Sequence, residues 1–265
     1  MNSTQSAGRQ PGYRFVGMDA SNFDTLPCCG IKDPSHPGRN EKRCWLQANA
    51  QSGVKAKTLV TEAGEPAGYI EYAPGESAWR GIDAPGYLVI HCIWTYPGHR
   101  QEGCGRLMVD ACLGDARAMG RSGVAVVVRK GPWMADRRLF TRLGFESSCT
   151  APPDFELLVR RLDPRAALPG FRRNWEQKAL EYGHGLTILR SQQCPHIAKF
   201  VADIAGAARN EYRLDTRIVD LETALDAQSA PTPFGVFALI LNGKLLADHP
   251  ISRTRFRNIM KKLQT

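Results

Sequence analysis

The chain has 265 residues, of which 43% are hydrophobic and 23% charged, with a formal net charge of +9. That length holds one large domain or two ordinary ones, and no window approaches the roughly 20 uninterrupted apolar residues that a membrane helix needs. The positive excess is spread along both halves. Without a Lys/Arg-rich block or an interleaved aromatic and basic stripe, neither nucleic acid nor membrane is expected as a partner.

The N-terminal residues "MNSTQSAGRQPGYRF" lack the apolar core of a secretion signal, so the expected location is cytoplasmic. The eight cysteines (Cys28, Cys29, Cys44, Cys92, Cys104, Cys112, Cys149 and Cys194) read as reduced thiols. The vicinal Cys28 and Cys29, with Cys44, could form a soft-metal or thiol site. No CxxC…CxxC spacing is present, so no metal is expected.

In chain order, "AKTLVTEAGEPAGYIEYAP" reads as two β-rich runs around a glycine turn, a hairpin. The run before it, "CCGIKDPSHPGRNEKRCWL", is loop-rich. "GYLVIHCIWTY" is a long apolar strand, and from Gly105 the residues Leu107, Met108, Ala111, Cys112 and Ala116 recur at helical spacing. "GVAVVVRK" is a short buried strand, "WMADRRLFTRLG" a helix stopped by Gly144, and "FESSCTAPPDFELLVRRL" two strands around a double proline. Residues 163–183, charged and interrupted by Pro and Gly, read as a linker with a helix at "NWEQKALEY". The pattern then restarts: strand "LTILRS", loop and helix "CPHIAKFVADIAGAARN", strand "YRLDTRIVDL", helix "ETALDAQ", an Asn–Gly hairpin in "TPFGVFALILNGKLLAD", and a terminal amphipathic helix. The fold class is mixed α/β, with domains at 1–162 and 184–265.

One loop stands out chemically. In "PGHRQEGCGRLM", Gly103 and Gly105 sit where a buried strand enters an amphipathic helix, flanked by Arg100 and Arg106. Glycine lets backbone amides converge, and the helix end adds roughly half a positive charge, so the loop is a candidate anion site. Neither GxxxxGK[ST] nor GxGxxG is present. Arg/Gln-x-x-Gly-x-Gly/Ala is matched by Arg100, Gly103 and Gly105, and it resembles the pyrophosphate-binding motif of the GNAT acyltransferases. "GVAVVV" and "LFTRLGFE" are similar to further segments of that family. "GYIEYAPGESAWRGIDAPGYLVIHCIW", "GVAVVVRKGPWMA", "APPDFELLV", "CPHIAKF" and "PTPFGVFALILNGKLL" resemble acetyltransferases carrying a C-terminal YoaP-like domain.

The resemblance implies acetyl-CoA as acyl donor. It places the pantetheine arm on the backbone of Ile93, Trp94 and Thr95, and the pyrophosphate on Arg100, Gln101, Glu102, Gly103, Cys104, Gly105 and Arg106. Direct transfer to a small-molecule or peptide amine, or a thiol-containing substrate, needs a base. The family's carboxylate position, nine residues before Arg100, is His91, whose ordinary pKa suits that work. Glu71 and Glu76 are rival carboxylates. The general-acid tyrosine of the family is Phe140 here. A relay through Cys92 next to His91 is disfavoured, because adjacent strand residues point to opposite faces.

The element order after residue 184 is that of a thioredoxin-like fold. Cys194 stands before a helix whose field should lower a thiol pKa, Ile197 replaces a second cysteine, and Pro233 resembles the proline that faces the cysteine, often in cis. The alternative function is therefore a thiol-dependent binding or redox module built on Cys194, with the CoA fold as a sensor. The oligomeric state is open, a dimer included.

Overall fold

The computed structural model describes residues 12–131 and 133–264. The elements are β1 (Tyr13–Met18), α1 (Gly38–Asn49), β2 (Lys55–Thr61), β3 (Pro66–Pro74), β4 (Ile82–Asp83), β5 (Tyr87–Thr95), α2 (Cys104–Ala118), β6 (Gly123–Val128), α3 (Arg137–Arg142), β7 (Glu146–Ala151) and β8 (Phe155–Arg161). There follow β9 (Gly170–Phe171), α4 (Trp175–Leu180), β10 (Leu186–Arg190), α5 (Ile197–Tyr212), β11 (Thr216–Asp220), α6 (Ala224–Ser229), β12 (Phe237–Leu241), β13 (Lys244–Ala247) and α7 (Arg253–Gln264).

Seven strands form one sheet in the order β1-β2-β3-β5-β6-β8-β7. The run "GYLVIHCIWTY" becomes the central β5, and α2 is the crossover to its parallel neighbour β6. Side chains alternate along each strand, so Leu88 and Ile90 fall on one face with Met108, Val109 and Cys112 of α2. Tyr87 and Val89 fall on the other face. There they share one continuous core with Ile188, Phe237 and Leu239 of the second sheet.

That second sheet has the order β11-β10-β12-β13, with β10 parallel to β11 and antiparallel to β12. Asn242 and Gly243, both at positive φ (50° and 76°), turn β12 into β13 as the Asn–Gly pair predicts. The sole cis peptide bond among the described residues joins Pro152 to Pro153 and leaves Pro233 out.

Four elements were not anticipated from sequence: β1, α1 and the two-residue strands β4 and β9. β1 pairs along β2 at the sheet edge, and α1 occupies the stretch read as loop. The buried side of α1 includes Arg39 and Lys42 along with Trp45 and Leu46, so no clean apolar stripe announces it. The stretch read as a linker is also ordered: β9 pairs with β4, and the Ser148 hydroxyl donates to the Pro169 carbonyl at 2.5 Å.

The two sheets are clamped through residues 76–81. Gln228 Nε2 donates to the carbonyls of Glu76 and Ala78, both at 3.1 Å, and the Gly81 amide donates to the Pro233 carbonyl at 3.2 Å. At Gly235 (φ 76°) a Cβ would stand 2.7 Å from Arg80 Cα. Gly235→Val should therefore lower unfolding free energy by at least about 1–3 kcal/mol from backbone strain alone, read as a reduced urea midpoint; an unchanged midpoint would show that the segments can separate freely.

Candidate active site

The parallel pairing of β5 with β6 runs only from Tyr87↔Gly123 to Ile90↔Val126. Beyond it β5 stays paired to β3 alone, while Val127 and Val128 follow β8. The strands therefore splay, leaving the β6-facing backbone of Ile93, Trp94 and Thr95 without a strand partner. The register on the other side explains what lies at the fork. Glu71 pairs with Cys92 and Tyr72 with Ile90, so His91 is the extra residue of a β-bulge.

The bulge overturns the expectation that His91 and Cys92 face opposite ways. Both line one cavity of about 490 Å³ at the splay. After the bulge the alternation is reset: Cys92 packs with the core shared by both sheets, and Ile93 with the α2 side. Cys29 reaches the same cavity from a tight turn, Cys28 to Ile31, in which Cys29 and Gly30 are both left-handed (φ 47° and 82°). The Trp94 ring rests on that turn, where a Cβ on Gly30 would stand 2.9 Å from it. Gln193, Cys194, His196, Phe200 and Phe234 close the cavity from the second sheet's side.

Behind the cavity is a buried ionic cluster. Lys42 of α1 forms a salt bridge with Glu71 of β3, and both side chains are fully buried. Lys42 Nζ also donates to the Gln193 carbonyl at 2.5 Å, while Gln193 Nε2 and Tyr69 Oη each donate to Glu71 at 2.7 Å. Burial alone would raise the Glu71 carboxyl, but the Lys42 ammonium and the His91 ring together outweigh it and hold the group well below the usual carboxylate range. The same attraction, working against burial, keeps Lys42 charged.

His91 does not offer the free nitrogen that a general base requires. Its Nε2 accepts the Trp79 amide at 3.0 Å, which leaves the proton on Nδ1, 3.5 Å from Glu71 Oε1. Burial pushes its pKa down to about 4. The expectation of a base at His91 is corrected by this setting: the imidazole is neutral and enclosed, its Nε2 is taken by the Trp79 amide, and its Nδ1 faces Glu71. Glu71, the rival carboxylate, is saturated by its partners. Glu76 lies elsewhere, bound to Arg121 at 3.0 Å.

Cys194 likewise departs from expectation. It precedes α5, yet burial pushes its thiol up to about 12, the reverse of helix-end activation. Ile197 is buried, and all eight cysteines are free. Among the described residues no cluster of His, Cys, Asp or Glu could hold a metal. Phe140 is wholly buried against Phe145 and has no proton to give.

The glycine loop is a left-handed turn that opens α2. Gln101 and Gly103 are left-handed (φ 71° and 79°), Gly103 caps α2, and no atom lies within 4 Å of where its Cβ would be. The amides of Cys104, Gly105 and Arg106 open the helix, free of intrahelical partners. Arg100 and Arg106 are exposed beside them. Glu102 is turned aside, taking a hydrogen bond from Tyr13 Oη and standing 3.0 Å from His99 Nδ1.

Residues 24–145 match the family model for the Acetyltransferase (GNAT) family, and residues 216–258 match YoaP-like. The GNAT match thus spans α1 to the end of α3, including the splayed strand and the glycine loop. The chain is 25% identical to an uncharacterized N-acetyltransferase, YoaP, of Bacillus subtilis, across 94% of this chain and 99% of that one. It is 27% identical to an L-methionine sulfoximine/L-methionine sulfone acetyltransferase of Pseudomonas paraeruginosa, over 48% of this chain and 77% of the relative. A solved phosphinothricin acetyltransferase of Sinorhizobium meliloti, in complex with acetyl-CoA, aligns with a TM-score of 0.42 at 16% identity, covering 60% of this chain and 93% of that one. The acyl donor of the GNAT family, which residues 24–145 match, is acetyl-CoA. No helix among the described residues is long and apolar enough to cross a membrane.

The first sheet depends on its buried ion pair. Lys42→Met would leave Glu71 charged and unpaired in the core and should cost about 3–5 kcal/mol of stability by urea unfolding. A loss below about 1 kcal/mol would mean that Glu71 is already neutral.

Proposed function

We propose that the chain transfers the acetyl group of acetyl-CoA directly to a small-molecule amine held in the cavity at the β5–β6 splay. The observation that carries this reading is the continuity of three features. The cavity, the unpaired backbone of β5 and the glycine loop at the start of α2 follow one another around the C-terminal end of the central strand. In this reading the amides of Gly103 to Arg106 and the side chains of Arg100 and Arg106 hold the pyrophosphate, with Gln101 and Glu102 shaping the turn. Ile93, Trp94 and Thr95 supply backbone hydrogen bonds to the pantetheine arm.

Bound acetyl-CoA supplies an acetyl thioester at the cavity. The amine nitrogen attacks the carbonyl carbon, the C–S bond breaks, and the proton lost from nitrogen is balanced by the one gained by the CoA thiolate. His91 acts here as a positioning residue: fixed by Trp79 and Glu71, it gives the bulge its shape and the cavity a neutral wall. The acceptor is deprotonated by solvent before attack. The relatives named above act on methionine sulfoximine, methionine sulfone and phosphinothricin, which supports a small amine as the acceptor class. The second unit, whose β10–α5–β11 and β12–β13–α7 order supports a thioredoxin-like reading, serves as the acceptor-side wall, and Cys194 is part of that wall.

Gly103→Val should weaken acetyl-CoA binding at least about tenfold by calorimetry, roughly 1.4 kcal/mol, because a β-branched residue resists the left-handed turn and fills its cradle. Unaltered affinity would remove the anion loop from the reading. For His91→Gln, kcat/KM should fall about tenfold, some 1.4 kcal/mol, while the pH–rate profile keeps its shape. In both enzymes the rate should climb with pH as the acceptor amine loses its proton. A wild-type inflection lost in the variant would restore His91 as the base.

A further inference from the structure

The charges around the cavity do not balance. Lys42 and Glu71 neutralise one another, and His91 is neutral, which leaves Arg80. Its side chain lines the cavity and the residue is only 2% exposed. Its hydrogen bonds go to two uncharged acceptors: Nη1 donates to the Trp79 carbonyl at 2.6 Å, and Nη2 to the His91 carbonyl at 2.5 Å. Its Nε has no partner. Among the described residues no ion pair engages it, and Glu71, whose field it feels, is already saturated by Lys42, Tyr69 and Gln193. A buried guanidinium is normally paired, because an unpaired cation in a desolvated site is costly.

The group is also held in place. The Gly81 amide is bound to Pro233, Gly235 abuts Arg80 Cα, and the Phe234 ring lies 5.4 Å from the guanidinium carbon. With Nη1 and Nη2 each spending a hydrogen on a carbonyl, the Nε edge remains, and a guanidinium edge is shaped for two parallel hydrogen bonds to a carboxylate. The rest of the cavity is largely apolar, with Trp94, Trp133, Met134 and Phe200 in its walls.

We propose that Arg80 is the anion subsite of the acceptor pocket, and that the acceptor is an amino acid: an amine carrying a carboxylate and an apolar side chain. The inference deepens the acetyl-transfer reading and rests on it. It also gives the second unit a task, since that unit supplies the clamp on Arg80.

The test uses the full chain saturated with CoA, titrated calorimetrically with the N-acetyl derivatives of the twenty L-amino acids and with the matching N-acetyl amides. At least one acid should bind tenfold or more tightly than its amide. Arg80→Met should bring that ratio close to one, and Arg80→Lys should retain part of it, with CoA affinity kept in both. A merely structural arginine would not discriminate acid from amide. Equal binding of acids and amides throughout the wild-type series overturns the proposal, as does a ratio that survives in Arg80→Met. Should Arg80→Met fail to fold, the wild-type series and Arg80→Lys decide the matter. Turnover separates the two readings: no acetyl-CoA binding defeats the acetyl-transfer reading itself. Acetylation of amino-acid amides as fast as the free amino acids defeats only the carboxylate subsite.

Discussion

The buried pair of Lys42 and Glu71 is the constraint on which the site depends. Two ions removed from water are tolerated only when every remaining lone pair and proton finds a partner, and here the partners come from four parts of the chain. α1 brings the ammonium, β3 brings the carboxylate and the Tyr69 hydroxyl, the bulge of β5 brings the imidazole, and Gln193 arrives from the second sheet. Gln193 serves both ions at once, accepting from Lys42 through its backbone and donating to Glu71 through its amide. The cluster therefore couples the closure of the cavity to the folding of both halves.

Around that cluster the two sides of the site are built from different materials. The loop side is backbone: splayed strand, glycine loop and helix start, where side-chain identity matters less than the absence of a Cβ. The cavity side is side chains, contributed by strand β5, the Cys28–Ile31 turn, Arg80, residues 133–135 and the second unit. This division explains why two sheets share one hydrophobic core instead of hanging on a flexible tether. A wall that must hold a buried guanidinium cannot be loosely docked. The Gln228, Pro233 and Gly235 contacts with residues 76–81 and the Arg129–Asp248 ion pair at 2.8 Å supply the rigidity.

Most of the fold was legible in the chain because its signals are local. The alternation around Gly64, the apolar run at 87–95, the helical spacing after Gly105 and the Asn–Gly turn each report on neighbours in sequence. α1 was not legible, since the side it buries carries Arg39 and Lys42, charges whose partners lie outside the helix, those of Lys42 at 29 and 151 residues away. Glu71 and Arg80 were hidden for the same reason: the first drew notice only as a rival base, the second none.

The sequence by itself determined the mixed α/β class, the glycine loop at the start of α2, the missing general-acid tyrosine at Phe140 and the lack of a second cysteine after Cys194. Each is a matter of residue type at a short, fixed spacing. Only the tertiary structure decided what His91 and Cys194 can do, because pKa and nucleophilicity follow burial and contacts. It decided, too, that a bulge turns Cys92 to the same side as His91, since register is a property of two strands. And it left Arg80 as the one buried charge lining the cavity without a countercharge, because charge balance is settled only where distant segments meet.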